Sequence, residues 1–511
     1  MDALANYESV AQRLADLTAI EEAMGILHWD QEIVMPTGAA AARGKQISTL
    51  AVVAHERLTD ADLGQALQAL SGDNALDPTQ QANVREALRE HLRAVRIAPA
   101  LVREWGQWTT RGHQVWVQAR QDADFQAFAP TLAHLVGLAK QRAAAVDPAK
   151  PAYDVLLDEF EPGMTMARLD PIFAELKAFL IPFVAQVRAK GQPYTTDWRS
   201  TRVAEADQRR FGESIVRSMG YSFDCGRLDT SVHPFCGGAG PTDVRITTRY
   251  NETAFVGSLM GMIHETGHAL YEQGRDLAYA DQPVSRPRSM GIHESQSLLW
   301  EKQVGQGRPF WQHHFPALQN AYPFLADRTL DEFVFGLNRV DFTNLIRVDA
   351  DELTYPLHVI LRYELERDLF SGSLQVADLP AAWNDKIQQY LGIVPPDDRV
   401  GVLQDVHWSS GAFGYFPSYT LGALYAAQFY RQAVGEIPAI PEDLAAGNAQ
   451  TLREWLGDKI HRVGSRFETD DLCLRATGET LNPKHFIDYA RQKYNALYWQ
   501  GYRKNDHGAL G

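Results

Sequence analysis

Two histidines and a glutamate are spaced for metal chemistry in His264-Glu265-Thr266-Gly267-His268. On a helix, residues four apart project from one face, one turn above the other. Neutral imidazoles so placed can fill two corners of a tetrahedral metal site. Glu265 then stands at the edge of that site, where it can act as general base on water activated by the metal. This is the H-E-x-x-H pattern of zinc peptidases. With 16 histidines in 511 residues, chance alone would produce it in roughly 3 such chains in 100. The rest of the chain must therefore supply a third ligand and groups that hold a substrate.

A catalytic site of this kind takes three protein ligands and leaves one position open. The acidic candidates that follow are Glu272, Asp276, Asp281, Glu294 and Glu301. Glu272 is about 12 Å along the same helix from His264, which puts it beside the site or at the surface. Glu294 lies on a separate helical stretch among small polar residues and is preferred. Glu301 is the runner-up, and Trp300 beside it suggests a packed helix with Glu301 on the solvent side.

The elements that must position these residues read as mostly α. Long stretches rich in Ala, Leu, Glu, Arg and Gln are separated by short Pro, Gly and Asp punctuation. Residues 254–273 form the metal helix. From 3 to about 27, Tyr7, Val10, Leu14, Leu17 and Met24 make a helical seam, which Trp29-Asp30-Gln31-Glu32 and Pro36 should break. Further helices are expected at 38–58, 78–97, 99–119, 124–145, 165–190, 289–304, 330–337, 341–370, 379–391, 419–434, 452–463 and 483–498. Pro356 should kink or divide the segment 341–370. Residues 224–241 hold too many glycines and prolines for a helix. Residues 242–250 alternate and read as a strand. That strand is either part of a short structural hairpin or an edge on which an extended peptide could pair beside the metal helix. Residues 401–418, dense in Gly, aromatics and His, read as an ordered functional loop.

Composition narrows the setting. A net charge of -15 argues against nucleic acid as the main partner. Cys225, Cys236 and Cys473 show no paired spacing and read as reduced thiols, which points to the cytoplasm. The first residues lack the basic and apolar regions of a signal peptide. No apolar run is long enough to span a membrane.

Six motifs occur in order: His233-Pro234-Phe235, Asp243-Val244-Arg245-Ile246-Thr247, His264-Glu265-Thr266-Gly267-His268, His293-Glu294-Ser295-Gln296-Ser297, Ile346-Arg347-Val348-Asp349-Ala350-Asp351, and Gly401-Val402-Leu403-Gln404-Asp405-Val406-His407-Trp408. With Trp29-Asp30-Gln31-Glu32 and Met35-Pro36 near the start, the chain resembles the carboxypeptidase Taq family of metallocarboxypeptidases (peptidase family M32) over most of its length. The resemblance implies a large, mostly α, groove-shaped fold related to neurolysin and angiotensin-converting enzyme, with a small β-sheet beside the active site. Residues 1–511 would form one catalytic domain, with about 1–220 as one groove wall and 221–511 carrying the motifs. It implies Glu294 as third ligand, one zinc or cobalt ion per subunit, a homodimer, and removal of single C-terminal residues from peptides with broad specificity. Donor chemistry also admits manganese. His293, one residue from Glu294, faces another direction and reads as support for the site or the substrate.

Related gluzincins place a histidine and downstream tyrosines on the substrate carbonyl. His407 is accordingly assigned to the carbonyl, and Tyr419 or Tyr415 to the oxyanion; read without the resemblance, these aromatics are core packing. A carboxypeptidase must also recognise a free carboxylate, which suits the planar fork of arginine. Arg347 and Arg245 are the candidates, and His233 is grouped with them as substrate-binding. Arg347 could instead bridge to Asp349, Asp351 or Glu352, and Arg245 could block one end of the groove. The alternative activity is an oligopeptidase that cuts internally with the same metal site. A metal-binding scaffold without turnover would have no need of Glu265.

Overall fold

Helices carry the chain from its first turn. The computed structural model describes residues 3–500. Its N-terminal part holds α1 (Ala3–Ile33), α2 (Ala40–Leu58), α3 (Ala61–Leu70), α4 (Pro78–Arg96), α5 (Pro99–Asp122), α6 (Phe125–Val146), α7 (Ala152–Phe160), α8 (Met166–Lys190) and α9 (Glu205–Ser218). After a small sheet come α10 (Phe255–Gln273), α11 (Met290–Leu298), α12 (Arg308–Ala321), α13 (Leu330–Leu337), α14 (Tyr355–Ser371), α15 (Leu379–Leu391) and α16 (Pro417–Glu436). The chain closes with α17 (Ile440–Ala445), α18 (Gln450–Leu456), α19 (Thr469–Thr477) and α20 (Lys484–Asn495). Among the described residues no helix is long and apolar enough to cross a membrane.

Several of these helices begin at a side-chain cap, among them α3, α4, α6, α11 and α13. Asp77 and Gln80 form a capping box at the start of α4, with Pro78 in its first turn. Three expectations fail. First, α1 does not stop before Trp29 but runs on to Ile33. Trp29 is buried, and its ring packs 5.2 Å from that of Phe235, so a contact with the sheet holds the last turn. Second, the helix expected over 341–370 begins only at Tyr355. Pro356 lacks an N–H to donate and is tolerated only in a first turn, so it opens α14 rather than kinking it. The Asp351 side chain accepts from the amides of Leu353 and Thr354 just ahead of it. Third, the segments 289–304, 452–463 and 483–498 are not uniformly α: α11, α18 and α20 pass into π-helical turns, Leu299–Gly305, Gly457–His461 and Ala496–Gln500. The sequence reading also passes over α3, α7, α9, α12, α17 and α19. Of these, α3, α7, α17 and α19 have 10 residues or fewer, too few repeats to show a stripe.

Among the described residues the sheet has three strands, β1 (Leu228–Thr230), β2 (Cys236–Gly238) and β3 (Val244–Thr248), in the order β1-β3-β2. Ile246 of β3 lies opposite Leu228 in the parallel pair and opposite Cys236 in the antiparallel pair. The expected strand is therefore present but central. Both of its main-chain edges are already paired, so an incoming peptide cannot add to β3. Buried Val244 and Ile246 pack in the core alongside α10.

Two close approaches set the spacing around α11, which lies between α10 and α16. A Cβ on Gly267 of α10 would lie 2.6 Å from the Gln296 oxygen and 2.7 Å from Ser297 Cα. A Cβ on Gly422 of α16 would lie 2.6 Å from Glu294 Cγ. The connector from α10 to α11 is gripped by the N-terminal helices. Asn83 donates to Gln282 at 2.9 Å and accepts from the Val284 amide at 3.1 Å. Arg286 pairs with Glu21 at 2.6 Å, and Arg288 with Glu86 at 2.7 Å. One large apolar cluster extends from Ala119 to Tyr498. A smaller one lies under α1, α3 and α4.

Candidate active site

His264 and His268 project from the middle of α10, whose buried flanks fix the helix in the core. Glu294 comes to meet them from α11. Its Oε2 is 3.3 Å from His268 Nε2 and 3.9 Å from His264 Nε2. The three candidate donor atoms all lie within 4.8 Å of one another. Donors at about 2.1 Å from a tetrahedral ion stand roughly 3.4 Å apart, so this cluster is close to a ligand set. Both Nδ1 atoms are engaged elsewhere, His264 with Glu301 at 2.9 Å and His268 with His293 at 2.6 Å. That leaves the Nε2 atoms for a shared partner, and the residues fit a divalent cation.

The other acidic candidates are not part of this set. Glu301 is not on the solvent side: its side chain is only 13% exposed and lies behind His264. Glu272 is held between His293, at 2.9 Å, and Arg275, at 3.0 Å. Asp276 caps a short turn at Ala278 and pairs with Arg466. Asp281 accepts from Gln282.

Charge and burial divide the titrating groups. Burial pushes the Glu265 carboxyl up to about 7; Glu294 and Glu301 add to this, and His264 opposes it. Burial would depress His264, but Glu294, Glu301 and Glu265 reverse that and carry it to about 9. Burial and neighbouring His293 lower His268 to about 4. Four carboxylates and three imidazoles thus share a largely buried space, where a bound cation would neutralise part of the excess negative charge.

The loop 401–418 leads into α16, whose Gly422 lies against Glu294. His407 begins a short turn, and Tyr415 and Tyr419 lie at and just inside the start of α16. His407 Nε2 is 3.0 Å from the Tyr419 hydroxyl. The Tyr415 and Tyr419 rings are 5.2 Å apart. Burial, with Arg347 and Arg362 adding, lowers His407 to about 4, so it is neutral at pH 7. Burial, with Glu294 adding, raises Tyr419 to about 12 and Tyr415 and Tyr355 further, so all three hydroxyls are available as donors. Glu366 of α14 fastens the loop at two points along its length. It accepts from Trp408 Nε1 at 2.8 Å and from the Gly414 amide at 3.0 Å.

Arg347 is 4% exposed, and its ion pair is not with Asp349, Asp351 or Glu352. It reaches Asp405 at 2.8 Å, donates to the Tyr355 hydroxyl at 3.0 Å, and lies 4.6 Å over the Tyr419 ring. Arg362 takes the other Asp405 oxygen at 2.6 Å. Two guanidiniums thus share one carboxylate, and the trio carries one net positive charge. Arg245 and His233 sit instead with the sheet. Arg245 makes a bidentate pair with Asp243, both bonds 2.7 Å, and approaches the Trp29 ring. His233 is exposed between β1 and β2. Sequence reasoning missed Tyr355, Asp405 as a charge hub, Arg362 and Glu366. Only Asp405 carried a signal, its place in a quoted motif two residues before His407.

Comparison with known proteins agrees with this geometry. The profile of the carboxypeptidase Taq (M32) metallopeptidase family matches residues 9–494. Thermostable carboxypeptidase 1 of Thermus thermophilus is 39% identical over 507 residues, 97% of this chain and 99% of the relative. Carboxypeptidase 1 of Bacillus subtilis is 39% identical over 488 residues, 95% of this chain and 97% of the relative. The crystal structure of an M32 carboxypeptidase from Deinococcus radiodurans R1 superposes with a TM-score of 0.94 at 39% identity, covering 97% of this chain and 99% of that one. The helical architecture is the gluzincin-like fold of these enzymes. The chain belongs to the carboxypeptidase Taq (M32) family and is a metallocarboxypeptidase, a peptide hydrolase that works with a divalent metal ion.

Proposed function

We propose that this metallocarboxypeptidase removes single C-terminal residues from peptides, with broad preference, by attack of water on the last peptide carbonyl. The observation that carries the reading is the convergence of His264 Nε2, His268 Nε2 and Glu294 Oε2 beside the buried Glu265. When bound there, a divalent ion supplies Lewis acidity, polarising the carbonyl and acidifying water. The donors suit one zinc per subunit, and cobalt or manganese can take its place.

Glu265 then acts as the base. Its carboxyl, near neutrality before any cation is present, can take a proton from the attacking water and return it to the departing amine. His407 approaches the substrate carbonyl, and Tyr419 or Tyr415 donates to the oxygen as it becomes an oxyanion. The net positive Arg347–Arg362–Asp405 group attracts the C-terminal carboxylate, with the Tyr355 hydroxyl as a neighbouring donor. Arg245 and His233 bound the groove at the sheet and limit how the chain enters. The family resemblance supports a homodimer built from single-domain subunits, and the three free cysteines support a cytoplasmic setting.

The test uses one peptide sequence in two forms, free-acid and blocked at both ends, each with and without chelator. Stepwise C-terminal loss from the free acid alone, abolished by chelation and restored by zinc, is the expected result. Cleavage of the blocked form would overturn the reading in favour of an oligopeptidase.

A further inference from the structure

The two histidines on α10 have unlike partners behind them. A neutral imidazole that offers Nε2 to a metal carries its proton on Nδ1. His264 therefore donates from Nδ1 to Glu301 Oε2, at 2.9 Å. The second Glu301 oxygen accepts from Lys302 at 2.5 Å. His268 faces a different group: its Nδ1 is 2.6 Å from the Nδ1 of His293. With the proton on His268, His293 must accept through Nδ1 and keep its own proton on Nε2. That Nε2 is 2.9 Å from Glu272 Oε1, and Glu272 Oε2 accepts from Arg275 at 3.0 Å. The His268 and His293 ring centroids are 4.6 Å apart with planes 29° apart, as expected for two rings that meet nitrogen to nitrogen rather than face to face. Each chain thus runs from a histidine to a carboxylate to a cation, but only the second passes through another imidazole.

Glu301 is also fixed from far along the chain. It sits in the π-helical turn Leu299–Gly305, next to Lys302. The Lys302 main-chain oxygen accepts from Tyr489 at 3.1 Å and from Lys493 at 3.2 Å, both on α20. Lys493 in turn pairs with Glu352 at 2.7 Å. The C-terminal helix therefore braces the turn that aims Glu301.

We propose that Glu301 and His293 are positioning residues with unequal effects: Glu301 gives His264 a direct anionic partner and makes it the stronger metal donor, whereas His293 aims His268 and passes on the Glu272 charge only through a neutral ring. This rests on His264, His268 and Glu294 being the metal ligands. Partners behind a ligand of this kind typically change metal affinity by about 10–100-fold.

The experiment measures Zn2+ affinity by chelator competition, and the visible spectrum of the Co2+-loaded protein, for the full-length wild type, Glu301→Ala, Glu301→Gln and His293→Ala. Thermal midpoints of the metal-free proteins are recorded alongside. Expected are one ion per wild-type chain, an affinity loss of about 10–100-fold in Glu301→Ala, a smaller loss in His293→Ala, and partial recovery in Glu301→Gln, whose amide oxygen still accepts but carries no charge. The Co2+ spectrum of Glu301→Gln should shift; its metal-free midpoint should fall, because Lys302 loses its anionic partner, and affinities are therefore compared at a temperature where every variant is folded. Failure of the wild type to bind one ion would overturn the ligand assignment itself. Normal wild-type binding with unchanged affinity in Glu301→Ala, or a larger loss in His293→Ala than in Glu301→Ala, would overturn the positioning proposal alone. Should Glu301→Ala not fold, wild-type affinity and an unshifted Co2+ spectrum in Glu301→Gln overturn it equally.

Discussion

Gly267 lies between the two histidines proposed as ligands, and replacing it with alanine should damage the candidate metal site. The added Cβ would stand 2.6 Å from the Gln296 oxygen and 2.7 Å from Ser297 Cα, where ordinary contact begins at 3.4 Å. The shortfall, 3.4 minus 2.6, is 0.8 Å. Both obstacles are main chain, so no side chain can turn aside. Helix α11 must move off α10, but Gly422 of α16 already lies against Glu294 on its other side. Overpacking of this kind costs about 1–3 kcal/mol. Ligand distances tolerate only about 0.2 Å, so a shift of several tenths of an ångström separates Glu294 from the histidines. Gly267→Ala should therefore lose zinc affinity by about 10-fold or more, a loss comparable to that from a misaimed ligand. Its metal-free form should also melt several degrees lower. Chelator competition and thermal unfolding with and without metal measure the two effects separately. Wild-type affinity in a variant that melts normally would show that α11 is free to move, and would refute the reasoning.

Three further outcomes follow from the same geometry. Glu265→Gln should keep one metal ion per chain while turnover falls by at least about 1,000-fold; metal content and kcat are read together, and normal turnover would remove Glu265 as base. Arg347→Ala should raise KM for free-acid peptides far more than it lowers kcat, because Asp405 keeps Arg362 as a partner and the rest of the centre stays in place; a loss confined to kcat, with KM unchanged, would leave Arg347 a structural ion pair. Burial pushes Glu366 up to about 7, despite the donors Gly414, Tyr153 and Trp408. Its folded value thus lies above the unfolded one, so its stabilising protonation is complete below about pH 4.5 and is lost as pH rises through about 7. The change corresponds to about 3 kcal/mol. Glu366→Gln should remove this contribution, and denaturant melts from pH 5 to 8 should then show a flatter profile than wild type; identical slopes would exclude Glu366 as its source.

What the sequence reveals here depends on how far apart the cooperating residues are. His264 and His268 are legible because helix geometry alone fixes their relation. Glu294 is legible as a candidate, but its arrival at the site depends on two glycine contacts between helices. Glu301 illustrates a misjudged local clue. Its place seven residues after Glu294 puts it on the same helix face, but neighbouring Trp300 made it read as outward. The composition of the loop 401–418 marks it as a functional candidate, whereas its fastening has no local signal. Asp405 meets Arg347 and Arg362 across 58 and 43 positions, and no periodicity encodes such a meeting. The strand 242–250 was identified by alternation, but alternation says nothing about which neighbours pair with it. Its central position, and with it the exclusion of peptide pairing there, emerges only from β1 and β2 together.

The grip of the N-terminal helices on the connector between α10 and α11 bears on the order in which the enzyme is made. Asn83 and Gln282 are 199 positions apart, Arg288 and Glu86 are 202, and Arg286 and Glu21 are 265. As the chain leaves the ribosome, the early helices carry polar groups whose partners have not yet been synthesised. Closing such long loops costs entropy that only the completed contacts offset. The spacing of α10 and α11 thus draws on contacts between residues 199 to 265 positions apart. A partly made chain offers two histidines but no finished socket, and the active centre matures only in a molecule that has already folded around it.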